Sequence, residues 1–373
     1  MLRRPTDHEI ASAGFPFAPT PHKGGLALDK PKKVSRAYFV DLLYSAQEQL
    51  VTKRGIKDSA MTRILVTGGS GFVGSALTKA LRARGFTVIG TVSTEKGDFV
   101  RCDLTDPVLV SDVVSKAQPD VIFHCAAISS AIHPLHLEYY GTNVLGTKNL
   151  LAAIKALGRR TRFIFLSTAG VYGNQSVEEL HEALQPNPVH DYGMSKLCAE
   201  FWIKQAVEFC DPTIFRPFNI VGPGQNDAFI VPKLAKAFAQ GERQIRLGNL
   251  DVYRDYIEIT AACSVLADFI DQPAAIGETI NLCSGKATSL RELIRAFQAV
   301  AGYEIEIIQD MAFVRTNELW RLIGSREKLD RLSPRRMALR SVQEMARDMF
   351  DYYKEQHATT LRPLRARFAA DSA

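Results

Sequence analysis

The stretch Thr67-Gly68-Gly69-Ser70-Gly71-Phe72-Val73-Gly74 narrows the possible folds of this chain more than any other. It follows Arg63-Ile64-Leu65-Val66-Thr67, a short apolar run that reads as a buried strand. It precedes Ser75 to Arg84, which reads as a helix stopped by Gly85. Gly69, Gly71 and Gly74 satisfy G-x-G-x-x-G, and Gly68, Gly71 and Gly74 satisfy G-x-x-G-x-x-G. A glycine string alone is weak evidence and fits a merely structural turn. Between a strand and a helix it has a physical purpose. The turn is tight, a pyrophosphate must approach the backbone, and helix must pack on strand with no Cβ between them. Free N–H groups and the positive end of the helix dipole then meet the phosphates. Gly68, Gly71, Phe72, Val73 and Gly74 are therefore the expected cofactor-binding residues of a dinucleotide site.

The rhythm downstream extends this unit into a sheet. Thr87 to Val92, Asp120 to His124, Arg162 to Ser167 and Pro212 to Arg216 read as strands. Helical stretches at Leu137 to Leu157 and around Tyr192 to Glu208 separate the later ones. Strands alternating with helices imply an α/β fold, a doubly wound parallel sheet covered on both faces. After Pro217 the pattern becomes irregular, which suggests a smaller mixed C-terminal substrate lobe. The expected division is a dinucleotide-binding core at 61–216, a lobe at 217–345 interleaved with the core, and a tail at 346–373. Residues 1–60 are rich in proline, with one amphipathic stretch from Ala37 to Leu50. They read as a mobile extension, as upstream codons before a true start at Met61, or as an arm that packs on a neighbouring subunit.

Charge and cysteines bound the partners. Residues 1–60 carry ten Lys/Arg against six Asp/Glu, leaving 36 against 34 for the rest. The body is near neutral, so its charge gives nucleic-acid binding no support. The six cysteines form no C-x-x-C pair, which points to reduced thiols in a cytoplasmic protein with no metal. No apolar run reaches the roughly 18 residues that span a membrane. At the end of the second strand, where an acidic residue would favour NAD, stand Thr91, Val92 and Ser93. That favours NADP(H), with NAD(H) possible because no arginine stands there. Asp103, with Leu104 beside it, is placed to accept a hydrogen bond from adenine; equally, Asp103 fits a cap of the helix starting near Pro107.

Tyr192 and Lys196 lie four apart on one helical face. An ammonium beside a phenol lowers its pKa, so that it passes a proton near neutrality. The preceding strand ends Leu166-Ser167-Thr168-Ala169-Gly170-Val171-Tyr172-Gly173, and hydroxyls at such a strand end point into the ligand crevice. Thr67–Gly74, Ser167–Gly173 and Tyr192–Lys196 together resemble the three signatures of the extended short-chain dehydrogenase/reductases, the nucleotide-sugar epimerases, dehydratases and reductases. The resemblance runs from about Arg63 to Leu329. It implies a Rossmann-type core and catalytic roles for Thr168, Tyr192 and Lys196, with Ser167 a lesser candidate. It implies that Tyr192 and Lys196 also contact the cofactor, that Ala126 and Ala127 let the cofactor lie across the sheet, and that Asn143 orders the active-site helices. It further implies a homodimer built through the helices near Leu137–Leu157 and Tyr192–Glu208.

The resemblance also bears on the reaction. Family dehydratases place acidic residues directly after the catalytic Thr; here stand Ala169 and Gly170, which argues against dehydration. Arg216 to Gln225, Gly248-Asn249-Leu250, Arg254-Asp255, Asn281 to Gly285 and Arg315 with Asn317-Glu318 resemble the substrate-binding segments of GDP-4-keto-6-deoxymannose reductases. By that resemblance Asn219, Arg254 and Arg315 bind the nucleotide-sugar substrate, where a planar guanidinium suits phosphate oxygens. The stretch Ser129 to His136, with His133 and His136, matches no fixed family pattern, which leaves the sugar open. Reduction of a 4-keto-6-deoxy nucleotide-sugar is the leading expectation. A nucleotide-sugar 4-epimerase with tightly held NAD is the alternative, and a non-enzymatic dinucleotide-binding regulator a third, opposed by the intact Thr168, Tyr192 and Lys196.

Overall fold

The computed structural model describes residues 61–129, 135–314 and 319–370, with side chains to 359. The N-terminal sixty, His133 and Arg315 lie outside the described residues.

The apolar run after Arg63 forms β1 (Arg63–Thr67), and α1 (Phe72–Ala83) follows the glycine turn. The alternation continues as β2 (Thr87–Val92), β3 (Val100–Arg101), α2 (Pro107–Ala117), β4 (Val121–His124), α3 (Gly146–Ala156), β5 (Arg162–Leu166), α4 (Asp191–Gln205) and β6 (Asp211–Pro217). Beyond it come α5 (Ile230–Ala239), α6 (Ile259–Asp268), β7 (Thr279–Leu282), α7 (Leu290–Ala301) and α8 (Val342–Ala370). Seven strands form one parallel sheet in the order β7-β6-β5-β4-β1-β2-β3. The order reverses between β1 and β4, and ligands bind outside the strand ends at such a switch point.

Alternate side chains of each strand face opposite ways, so each strand feeds two cores. Ile64, Val66, Phe123, Ile164 and Phe215 pack with Leu77 and Leu81 of α1 and Leu266 of α6. Leu65, Ile122, Phe163 and Phe165 pack with Val110, Ile154 and Ile203 from α2, α3 and α4. Both faces are covered, as a doubly wound sheet requires. In the lobe, α5, α7 and α8 enclose a separate core that includes Phe238, Phe297 and Met349. Among the described residues, no helix is long and apolar enough to cross a membrane.

Two expectations change. Residues 346–359 are no separate tail: they continue α8, and Ala346, Met349 and Tyr353 are buried in the lobe core. With Met345 they form an apolar stripe at helical spacing. The single helix expected over Leu137–Leu157 is instead His136–Tyr139, a π-helical segment Tyr140–Leu145, and then α3. The wider turn holds Asn143 inside, only 1% exposed, with its side-chain Oδ1 accepting from Ile128 N at 2.9 Å.

Candidate active site

The glycine turn is shaped by missing side chains. Gly68 has φ of +67°, and a Cβ there would lie 2.8 Å from the backbone of Ala126. A Cβ on Gly74 would stand 2.1 Å from the carbonyl oxygen of Gly68. Gly71 caps α1 with no side-chain hydrogen bond, and no acidic residue occupies the first turn. The first-turn N–H groups, those of Phe72 and Val73 among them, thus face outward at the positive end of the helix. This cradle fits a pyrophosphate. Gly69 N donates to the carbonyl of buried Thr91, while Ser93 beyond β2 is exposed. Asp103 does not cap α2: Asp106 does, accepting from Val108 N and Leu109 N. Asp103 instead accepts from the backbone and hydroxyl of Thr105, and buried Leu104 supports Gly146. Ala126 and Ala127 follow β4 at the same sheet edge, partly exposed.

The chemistry-bearing side chains meet at the ends of β5 and α4. Thr168 opens a short turn, Ala169–Val171, and its Oγ1 accepts from Gly170 N at 3.0 Å. Burial pushes the Tyr192 phenol up to about 12, with the neighbouring Thr168 hydroxyl pulling the other way. The expectation that Lys196 lowers this phenol is therefore corrected: desolvation dominates, and the lowering partner is Thr168. Lys196 is itself buried, with its ammonium 4.1 Å from the Phe165 ring centroid. Burial brings it down to about 7, opposed by the charges of Cys125 and Glu200. The Tyr192 phenol is thus protonated at neutral pH, and Lys196 is brought down to near neutrality.

The two neighbouring hydroxyls are told apart by what lies beneath them. Ser167 donates to Glu200 at 2.5 Å, and Glu200 in turn holds Arg216 at 2.7 Å in a fully buried pair. Arg216 lies over the Tyr172 ring at 4.7 Å, and Tyr172 donates to Asn281 at 2.7 Å. Ser167 thus belongs to the support below the site, and Thr168 faces Tyr192.

In the segments expected to bind the substrate, Asn219 donates from both its backbone and its side chain to the carbonyl of Asp255, each at 3.0 Å. Arg254 is the next residue along, partly buried, with Nη1 donating to Tyr253 O at 2.9 Å. The structure therefore brings Asn219 and Arg254 to one strand junction. The Asn219 strand reaches the cofactor turn, because Gly222 lies against Phe72. It reaches the Thr168 turn through Phe218, which packs with Ala169 and Tyr172.

Sequence reasoning passed over His190. Its ring stacks on Tyr192 at 6.0 Å, lies against Gly170, and caps α4 by accepting from Gly193 N at 2.9 Å. A histidine at an N-cap lacks the usual small hydroxyl or carboxylate, so no capping pattern marked it. His136 pairs with Asp191 at 2.6 Å, next to Tyr192, and Tyr140 donates to the same carboxylate at 2.9 Å. Asp191 is held below its ordinary range by these two bonds.

Residues 64–283 match the model of the NAD dependent epimerase/dehydratase family. The chain is 38% identical over 269 residues to GDP-6-deoxy-D-talose 4-dehydrogenase of Aggregatibacter actinomycetemcomitans, covering 72% of this chain and 90% of that protein. It is 33% identical over 278 residues to GDP-6-deoxy-D-mannose reductase of Pseudomonas aeruginosa, covering 72% and 89%. Among solved structures, RMD from Pseudomonas aeruginosa complexed with NADPH superposes with TM-score 0.70 at 30% identity, covering 80% of this chain and 100% of that one. The UDP-glucose 4-epimerase of Thermus thermophilus in complex with NAD gives 0.68 at 26% identity, covering 79% and 99%.

Proposed function

Because this chain belongs to the NAD dependent epimerase/dehydratase family, we propose that it reduces the C4 ketone of a GDP-4-keto-6-deoxyhexose. The observation that carries the reading is the placing of a buried, protonated Tyr192 phenol beside the strand-end hydroxyl of Thr168. The cofactor is a nicotinamide dinucleotide, which when bound supplies the hydride. Thr168 binds the substrate oxygen, Tyr192 gives it the proton, and Lys196 restores that proton from near neutrality. By the family resemblance, Asn219, Arg254 and Arg315 are assigned to the nucleotide diphosphate or its ribose. Two relatives whose names join GDP, a 6-deoxy sugar and either a 4-dehydrogenase or a reductase support this substrate class. Dehydration is disfavoured because Ala169 and Gly170 offer no carboxylate, and a Cβ on Gly170 would already meet His190 at 3.3 Å.

NADPH is the favoured reductant, since no carboxylate ends β2 to repel a 2′-phosphate. Purified protein supplied with NADPH and GDP-4-keto-6-deoxymannose should oxidise the cofactor, and NMR of the product reads its C4 configuration. No oxidation with this or other 4-keto-6-deoxy nucleotide-sugars would overturn the reading. The second reading, a 4-epimerase, is favoured by the likeness to an NAD-bound epimerase. Stoichiometric NAD retained through purification, with interconversion of unreduced hexoses, would establish it.

The reading includes a homodimer. Leu145, Phe201 and Trp202 are exposed by 55%, 56% and 38% beside α3 and on α4, a concentration of apolar surface suited to a partner copy. Light scattering should give a dimer that Phe201→Glu weakens. A cytoplasmic setting agrees with six free thiols, four of them buried.

A further inference from the structure

His124 ends β4 and pairs across the sheet with Thr67, the residue before Gly68. It is fully buried, with Phe163 and Phe165 at ring distances of 5.9 and 5.4 Å. Burial first, and then the charge of Lys196, bring its pKa down to about 3, so the ring is neutral. A neutral imidazole carries one N–H, and the surrounding bonds fix which. Thr147 gives its hydroxyl hydrogen to Asn143 O at 2.6 Å. Its oxygen, 2.9 Å from His124 Nε2, must then accept, so Nε2 holds the hydrogen. Nδ1 is bare and accepts from Thr67 Oγ1 at 2.7 Å. The Thr67 oxygen completes the series by accepting from Ala126 N at 3.2 Å. Every donor meets one acceptor, and the series runs in one direction.

Its two ends reach the two halves of the site. At one end Thr67 ties the glycine turn to Ala126, whose backbone fills the space that a Gly68 Cβ would need. At the other end stands Asn143, which also donates to Ser195 Oγ at 2.9 Å. Ser195 donates to the carbonyl of Tyr192 at 2.9 Å. A change of tautomer at His124 would reverse both of its bonds at once.

We propose that His124 is a positioning residue that joins the cofactor turn to the helix carrying Tyr192, acting through Thr67 on one side and Thr147 on the other. The proposal rests on the functional reading above. It assigns the two threonines different duties. Thr67 sets the turn that holds the pyrophosphate, and Thr147 sets the π-helical segment whose Asn143 steadies Tyr192.

The test uses the full chain with Thr67→Val, Thr147→Val, His124→Phe and His124→Gln. NADPH affinity is read by fluorescence titration, and kcat with GDP-4-keto-6-deoxymannose. In Thr67→Val the larger loss falls on NADPH affinity, and in Thr147→Val on kcat, each roughly fivefold, the size of one net hydrogen bond. His124→Phe loses both. His124→Gln, with an acceptor and a donor at its tip, recovers the larger part of each. A merely structural role would lower stability without splitting the two readouts. Equal effects of the two threonine variants, or His124→Phe within twofold of wild type in both readouts, would overturn the proposal. Should His124→Phe fail to fold, the threonine pair still decides. Wild-type protein that binds NADPH and leaves it unoxidised would refute the functional reading instead, and the binding arm of Thr67→Val would still test the turn.

Discussion

The proposed cofactor side and the proposed substrate side of the site are built from different materials. On the cofactor side the shape comes from backbone, and the eight residues Thr67 to Gly74 supply the turn. On the substrate side one buried carboxylate gathers distant segments. Asp255 accepts from Ser284 N at 2.7 Å, Ser284 Oγ at 2.6 Å, Gly285 N at 2.8 Å and Gly324 N at 3.3 Å, while its own carbonyl receives Asn219. Burial raises its pKa and the four bonds pull it back. A site made by omitting side chains is local and tolerates no addition. A site made by a hub depends on tertiary structure and fails when the hub changes charge or hydrogen-bonding type.

The largest expected effect lies between the two sides, where the proton moves. Tyr192→Phe should cut kcat by roughly 10²- to 10⁴-fold, the usual scale for a general acid. It should leave NADPH affinity nearly intact, because the glycine turn is untouched. Full turnover in this variant would refute the assigned chemistry.

Gly74→Ala sharpens the cofactor side. Its Cβ would stand 2.1 Å from Gly68 O, so the turn must open. Losing one charge-assisted N–H contact to phosphate should weaken NADPH binding roughly tenfold to a hundredfold. Unchanged affinity by calorimetry would show that the phosphates do not sit in this turn. Asp255→Asn sharpens the other side. The amide keeps one acceptor and turns a donor towards N–H groups, costing about 1–3 kcal/mol of stability. It should raise KM for the nucleotide-sugar while NADPH affinity stays near wild type. Equal losses of both ligands would erase the division between the two sides.

This division also accounts for what was legible in the sequence. The glycine turn, the strand-helix alternation and the Tyr192–Lys196 spacing are local, and period and punctuation disclose them. Resemblance alone ranks Thr168 above Ser167; the physical difference is Glu200 beneath Ser167, 33 residues away. The π-helical segment left no mark, since its cause is Asn143 reaching Ile128 and Ser195. His124 read as the last residue of an apolar strand; its partners Thr67 and Thr147 lie 57 and 23 positions off. In the sequence Asp255 reads only as the neighbour of Arg254, and its four bonds come from residues 29 to 69 positions later. Long-range hydrogen bonding has no sequence period, so resemblance pointed to Asn219 and Arg254 where residue pattern could not.

The smallest expected effect is a pH slope, and it tests whether the buried ring at the junction is neutral. His124 titrates near 3 when folded and near 6.5 as an ordinary imidazole. Between those values the unfolded chain binds the proton and the folded one does not. Stability is therefore full above about 6.5 and falls as pH drops towards 3, by up to ~1.4 kcal/mol per pH unit from this group. Lys196 works in another window: with its folded pKa near 7, stability gains as pH rises from there towards its ordinary 10.5. Urea unfolding of wild type and His124→Phe at about pH 4.5 and about pH 6.5 singles out His124 by difference, because the other titrating groups are common to both and Lys196 stays largely protonated in this range. Wild type should lose more stability across that interval than His124→Phe. Equal losses would mean that His124 carries a proton in the fold, and the single-direction hydrogen-bond series through Thr67 and Thr147 would have to be redrawn.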